Sequence, residues 1–172
     1  MQERILATCD RLFNGEGIRA VGVDRIAAEI GISKRTLYNY YPSKDELVFA
    51  YLSRRYVPVR SFEGPPDEQI LNMFDWLEKW FGSSNFRGCP FVNAVAELGD
   101  SAAKIALEFK EQRRLWLRDL LQQMNVQEAD ALATQLAILV EGAIASALVR
   151  GDPTMARSAK QAARVLLAAA SS

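Results

Sequence analysis

Apolar residues recur at three- and four-residue spacing from the start of the chain, in Ile5, Leu6, Cys9, Leu12 and Phe13. That period lines one helical face and predicts a first helix, closed by Gly15 and Gly17. Val23, Ile26, Ala27 and Ile30 repeat the pattern over a shorter span, with Asp24 in the first turn where a carboxylate suits the helix dipole. Gly31-Ile32-Ser33 interrupts this second helix. Ser33 is placed to cap a third, whose inward face is Leu37 and Tyr41 and which Pro42 ends. Ser43 then caps a fourth helix through Leu47, Val48 and Tyr51, running to about Arg55 before Pro58.

Gly64-Pro65-Pro66 marks a break, after which Ile70, Leu71, Met73, Phe74, Trp76, Leu77, Trp80 and Phe81 make the Asp67–Phe81 helix apolar on more than one face. Such a helix is expected to be largely surrounded by protein. The turn-rich stretch from Gly82 to Gly88 leads into Cys89-Pro90 and a short helix over Phe91–Leu98. Gly99-Asp100-Ser101 opens a longer helix containing Leu107, Phe109, Leu115, Trp116 and Leu120. Two alanine-rich helices, about Gln127–Arg150 and Pro153–Ala170, are joined by Gly151-Asp152, a C-cap and N-cap pair that predicts an antiparallel hairpin. No segment alternates as a strand does, so the fold class is all-α.

Composition narrows the chemistry. The chain of 172 residues is 49% hydrophobic and 24% charged, a globular balance. Lys+Arg and Asp+Glu are both 21, so any affinity for DNA has to come from a local patch rather than a global field. With no histidine, Ser-His and Cys-His pairs and imidazole-bound metals are excluded. No nucleophile with its base and no spaced carboxylate pair stands out, so neither an enzyme, a metal site nor a cofactor is expected. Cys9 and Cys89, eighty residues apart, form no zinc or disulfide framework and suit a reducing cytoplasm. The opening Met1-Gln2-Glu3-Arg4-Ile5-Leu6 lacks the apolar run of a secretory signal. Residues 131–149 come nearest to a membrane span, but the run is alanine-rich and broken by Thr134, Gln135, Glu141 and Ser146, which suits a helix buried among helices. No membrane partner is expected.

Two short helices joined by Gly31-Ile32-Ser33 match a helix-turn-helix. The full run of residues 26–44, I-A-x-x-x-G-I-S-x-x-T-L-Y-x-Y-Y-P-S-K, set in the stretch from Gly17 to Leu47, resembles the DNA-binding module of TetR-type transcriptional regulators. The resemblance covers about the first fifty residues. It implies a three-helix helix-turn-helix domain over residues 1–50, with the fourth helix (about 43–57) as a link. Residues 51–172 would then form a larger helical effector-binding and dimerisation domain. By the same resemblance the function is that of a repressor which binds palindromic operator DNA as a homodimer and is released by a small molecule. Two positions depart from the pattern: Gly22 stands where a capping threonine is frequent, and Tyr40 where many relatives carry histidine.

At about 100° per residue, Arg35 and Asn39 lie opposite the inner face of the third helix, flanked by Thr36 and Tyr38, with Lys34 at its start. Lys34 and Arg35 suit guanine acceptors and Asn39 suits adenine. Thr36, Tyr38, Tyr40 and Lys44 carry hydroxyl or ammonium donors suited to phosphates, which orient without reading sequence. The resemblance implies the same division.

For the larger half, the resemblance implies that the last two helices pair across a homodimer and that the domain encloses a small, largely apolar effector. Trp76, Trp80, Phe81, Phe91 and Trp116 are candidate pocket walls, although packing is the commoner role for such side chains. Asn93 and Glu97 either add polar specificity to that pocket or cap and face water. Glu141, isolated in an apolar run, is either a pocket group of raised pKa or the partner of an arginine from another helix or subunit. Cys89, after Arg87 and before Pro90, is either a redox sensor or, more commonly for its type, a small buried residue. A helical interaction protein or corepressor without operator binding is the alternative of a different class.

Overall fold

A computed structural model describes residues 1–55 and 62–170. Among them all regular structure is helical: α1 (Gln2–Glu16), α2 (Val23–Ile30), α3 (Lys34–Tyr40), α4 (Lys44–Arg55), α5 (Pro66–Phe81), α6 (Pro90–Leu98), α7 (Asp100–Gln123), α8 (Ala129–Arg150) and α9 (Met155–Ala170). The expected helices are all present, with ends shifted by one or two residues. Pro58 and the last two positions of the anticipated linking helix lie outside the described residues. The chain divides into two compact units. One holds α1 to α4, α6 and the first turns of α7 through Glu108; the other holds α5, α7 from Phe109, α8 and α9.

The first unit closes around Ile5, Cys9, Leu12 and Phe13 of α1, Ile26, Ala27 and Ile30 of α2, Leu37 of α3, and Leu47, Val48, Tyr51 and Leu52 of α4. Phe13 meets Tyr51 edge-on, with ring centroids 5.2 Å apart. Polar ties fix the helix ends. The Arg4 guanidinium donates to the Ile30 carbonyl at 3.1 Å, satisfying a group that the end of α2 leaves without a partner. Arg55 pairs with both Asp10 oxygens, its Nη2 at 2.8 Å from Oδ2, which binds the last turn of α4 to α1. Burial, with Asp10 adding, pushes the Cys9 thiol up to about 12, so it stays protonated and unreactive at neutral pH.

In the second unit α5 packs chiefly on α9 and also on α8, and α8 packs along α9. Many of the buried residues of α8 and α9 are small, Ala129, Ala133, Ala143 and Ala147 on one and Ala156, Ala159 and Ala163 on the other, which suits a close approach of packed helices. Gly151, at φ 63°, makes the left-handed C-cap of α8. Asp152 Oδ1 then accepts from the Thr154 amide at 2.9 Å, as the Gly-Asp pair predicts. Lys160 and Arg157 tie α9 to α5 through Asp75 and Glu78, each at 2.6 Å. By length and a mean hydropathy of 1.8 over its most apolar window, α8 is able to cross a membrane. Its buried face, however, is occupied by α5 and α9.

Candidate nucleic-acid interface

Helix α3 is only seven residues long, too short to be stable alone, so its caps and its single buried anchor decide its position. Gly31 turns the chain at φ 76°, a left-handed conformation that a side chain would strain, and the Ile32 amide bonds back to the Ala27 carbonyl at 3.0 Å. Two residues on, Ser33 Oγ accepts from the Thr36 amide at 3.0 Å. Leu37, 1% exposed, pins the inner face. Tyr41, half-buried and near Cys9 of α1, borders that face from the end of the helix. It is the C-cap, extended at φ −137° and ψ 98°, because Pro42 disfavours helical geometry in the residue before it. Gly22 caps α2 through backbone alone, without a side-chain bond, which agrees with its departure from the usual pattern.

This anchoring leaves Lys34, Arg35, Tyr38, Asn39 and Tyr40 exposed on the outer side of α3, with Thr36 and Lys44 half-exposed. Their states differ. Arg35, Asn39 and Lys44 have no hydrogen-bond or ion-pair partner among the described residues. Thr36 Oγ1 is 2.8 Å from Ser33 Oγ, so its hydroxyl already serves the cap. The Lys34 ammonium donates to Asp24 Oδ2 at 3.0 Å, and this hydrogen bond and charge push its pKa up. The sequence pattern marks Asp24 only as a favourable charge in the first turn of α2. Ten residues separate it from Lys34, but the helix-turn-helix brings the N-termini of α2 and α3 together, and that geometry was the available signal.

The residues considered for an effector fall in both units. Trp76, Trp80, Trp116 and Glu141 belong to the second, Phe91 and Asn93 to the first. Trp76 stacks on Trp80 at 5.7 Å and 19°, Trp80 meets Phe86 edge-on at 5.0 Å, and Trp116 contacts Phe62 at 5.9 Å; all three tryptophans are half-buried. Glu141 is paired with Lys110 and, at 2.9 Å, with Arg113 of α7, the interhelical ion pair that was one of its two expected states. Phe91 is 1% exposed and Cys89 is buried with it. Asn93 and Glu97 border a cavity of about 100 Å³ that also touches Phe13, Ile18, Tyr51 and Pro90. Glu97 Oε2 accepts from the Arg19 amide at 2.7 Å, between α1 and α2. Gly17 lies beside it at φ 90°, where a Cβ would stand 3.2 Å from the carboxylate. This polar tie spans 78 positions, and no sequence pattern announces it.

Comparison with known proteins agrees with this geometry. The family model for bacterial regulatory proteins of the tetR family matches residues 5–51. A second, for the C-terminal domain of LmrA/YxaF-like transcriptional regulators, matches residues 66–162. The crystal structure of a TetR-family transcriptional regulator from Streptomyces coelicolor is 29% identical with a TM-score of 0.89, covering 99% of this chain and 95% of that one. A putative TetR transcriptional regulator from Streptomyces avermitilis gives 29% and 0.85, covering 98% and 97%. The uncharacterized HTH-type transcriptional regulator YxaF of Bacillus subtilis is 23% identical over 167 residues, which is 89% of this chain and 87% of that protein. With both parts of the chain matched and the helix-turn-helix built as its motif requires, the chain belongs to the TetR family of transcriptional regulators, DNA-binding proteins with a helical C-terminal regulatory domain.

Proposed function

We propose that the protein is a repressor that binds palindromic operator DNA as a homodimer and is released when a small, largely apolar effector enters the C-terminal domain. The observation that carries this reading is the outer face of α3, where Arg35 and Asn39 stand exposed without partners beside a rigidly capped helix start. Residues 1–50 read DNA, with Lys34, Arg35 and Asn39 on base edges and Thr36, Tyr38, Tyr40 and Lys44 on phosphates. Residues 51–172 bind the effector and dimerise. The protein works in the cytoplasm, where its DNA is, and α8 is an interior and interface helix rather than a membrane span. Operator selection from a random library by the purified protein tests the reading. A two-fold symmetric site is the expected result, and no enrichment over random sequence would favour a helical interaction protein instead.

Dimerisation is supported by the uncovered faces of α8 and α9. Ile138, Gly142, Ala145 and Val149 follow the i, i+4, i+7, i+11 spacing of one stripe, and all are exposed. Ile138 is 64% exposed, Val149 86%, and Val165 on α9 61%. Apolar side chains of this size gain about 1.5–3 kcal/mol each on full burial, and small residues between them allow a close helix crossing. Sedimentation without DNA is expected to show a dimer at micromolar concentration. Val149→Glu combined with Val165→Glu should give a folded monomer with greatly weakened operator binding; a double variant that still sediments as a dimer would remove this interface.

The effector is expected to act near Trp76 and Trp80, so binding should be visible in tryptophan emission. In a panel of uncharged aromatic compounds, at least one should quench the emission saturably and weaken operator affinity over the same concentration range. This coupling requires the compound to prefer the conformation that binds DNA poorly. Saturable quenching with unchanged operator affinity would count against release by a ligand at this position.

A further inference from the structure

The cations on the DNA-facing side of the helix-turn-helix are not equivalent. Arg35 and Lys44 have no carboxylate partner among the described residues, whereas Lys34 is held by Asp24 at 3.0 Å. Both members of that pair remain solvent-exposed, with side-chain exposures of 49% and 75%. An ion pair in that setting changes an equilibrium by no more than about fivefold, so it can be exchanged for another partner. Asp24 sits in the first turn of α2, the helix of the motif that crosses the DNA backbone, so its charge also faces approaching phosphates.

We propose that Asp24 is a specificity-determining residue: by holding the Lys34 ammonium it withholds that cation from the phosphates of arbitrary DNA and releases it where a base edge offers a better acceptor. The proposal rests on the reading of Lys34 as a base-contacting residue. Where no guanine stands in register, as in most registers of a random sequence, a lysine exchanges one oxyanion for another, a carboxylate for a phosphate, and little is gained. At a guanine presented in register, the O6 and N7 acceptors discriminate by roughly 5- to 150-fold, which matches or exceeds what the ion pair holds back. The carboxylate therefore acts on the ratio of specific to non-specific binding, the quantity that decides whether a regulator finds its operator among competing sites.

The test is a salt titration of the full-length wild type, Asp24→Asn, Lys34→Ala and the double variant, each on a random-sequence duplex and on the selected operator. Asparagine keeps the shape of the side chain and removes its charge. Asp24→Asn is expected to bind the random duplex more tightly, by up to about fivefold per subunit, and to steepen the salt slope by about one phosphate contact per subunit. Operator affinity should rise less, so the preference ratio falls. In the Lys34→Ala background the same change should give a clearly smaller gain, the part due to the Asp24 charge facing the phosphates directly, and equally on both duplexes. An equal gain with and without Lys34 would make Asp24 a plain repelling charge and overturn the proposal, as would an unchanged preference ratio. Separately, Lys34→Ala with wild-type base preference would remove the base-reading role beneath it, whatever Asp24→Asn does.

Discussion

Replacing Arg35 by alanine is expected to cost operator binding about 1–3 kcal/mol in each half-site, hence about 2–6 kcal/mol for the dimer, and to erase preference at one base pair per half-site. The side chain is exposed at the second position of α3 and makes no contact on which the fold depends, so helical content and thermal stability should stay at wild-type levels. A guanidinium offers two parallel donors that match guanine O6 and N7, and no other side chain on this face reproduces that fork. Lys44→Ala is the informative contrast. It should weaken binding on every sequence alike, with the salt slope falling by about one per subunit, because a lost phosphate contact carries no sequence information. Selection from a random library followed by salt titration separates the two. If Arg35→Ala lowers affinity uniformly while Lys44→Ala alters base preference, the assignment of roles is reversed.

Phe91→Ala is expected to destabilise the protein by about 3–5 kcal/mol, the cost of removing a fully buried aromatic ring and leaving a cavity. The ring is 1% exposed, one residue after Pro90 opens α6, in the compact unit that also contains the helix-turn-helix. Domain stabilities of about 5–15 kcal/mol mean that this one substitution removes a large part of the total. Urea unfolding followed by far-ultraviolet circular dichroism measures it, and the loss should be present without any added ligand. A cost below about 1 kcal/mol would show that the ring is not part of the packed core, and would return Phe91 to the candidate effector residues.

The sequence made the DNA-reading end legible because its signals are local. Ile26, Ala27, Ile30, Gly31 and Ser33 set a helix, its stop and the next cap within eight positions, and each does in the structure what its residue type requires. At Tyr41 two local rules meet: its spacing from Leu37 turns it inward, where it is half-buried, and the following Pro42 makes it the C-cap rather than a helical residue. Contacts across the fold left no such trace. Nothing in the periodicity joins Glu97 to the Arg19 amide or Asp24 to Lys34. The apolar run of α8 was ambiguous for another reason. When 15 of 22 positions are Ala, Leu, Ile or Val, the side turned to α5 and α9 cannot be told from the side left uncovered at Ile138 and Val149.

The placement of α6 bears on how such a protein can be taken apart and rebuilt. The compact unit that carries the helix-turn-helix is discontinuous in the chain: α5, which belongs to the other unit, is encoded between α4 and α6. A gene fusion joined after α4 would transplant the recognition helix while leaving behind Phe91, Pro90 and the Glu97 carboxylate that holds the Arg19 amide. The donor head would arrive with the buried face of α4 uncovered where α6 had packed. In a chimaera built on this chain, a borrowed α6 would therefore have to fit the resident α1–α2 connection, with Gly17 and Glu97 as the pair to be matched.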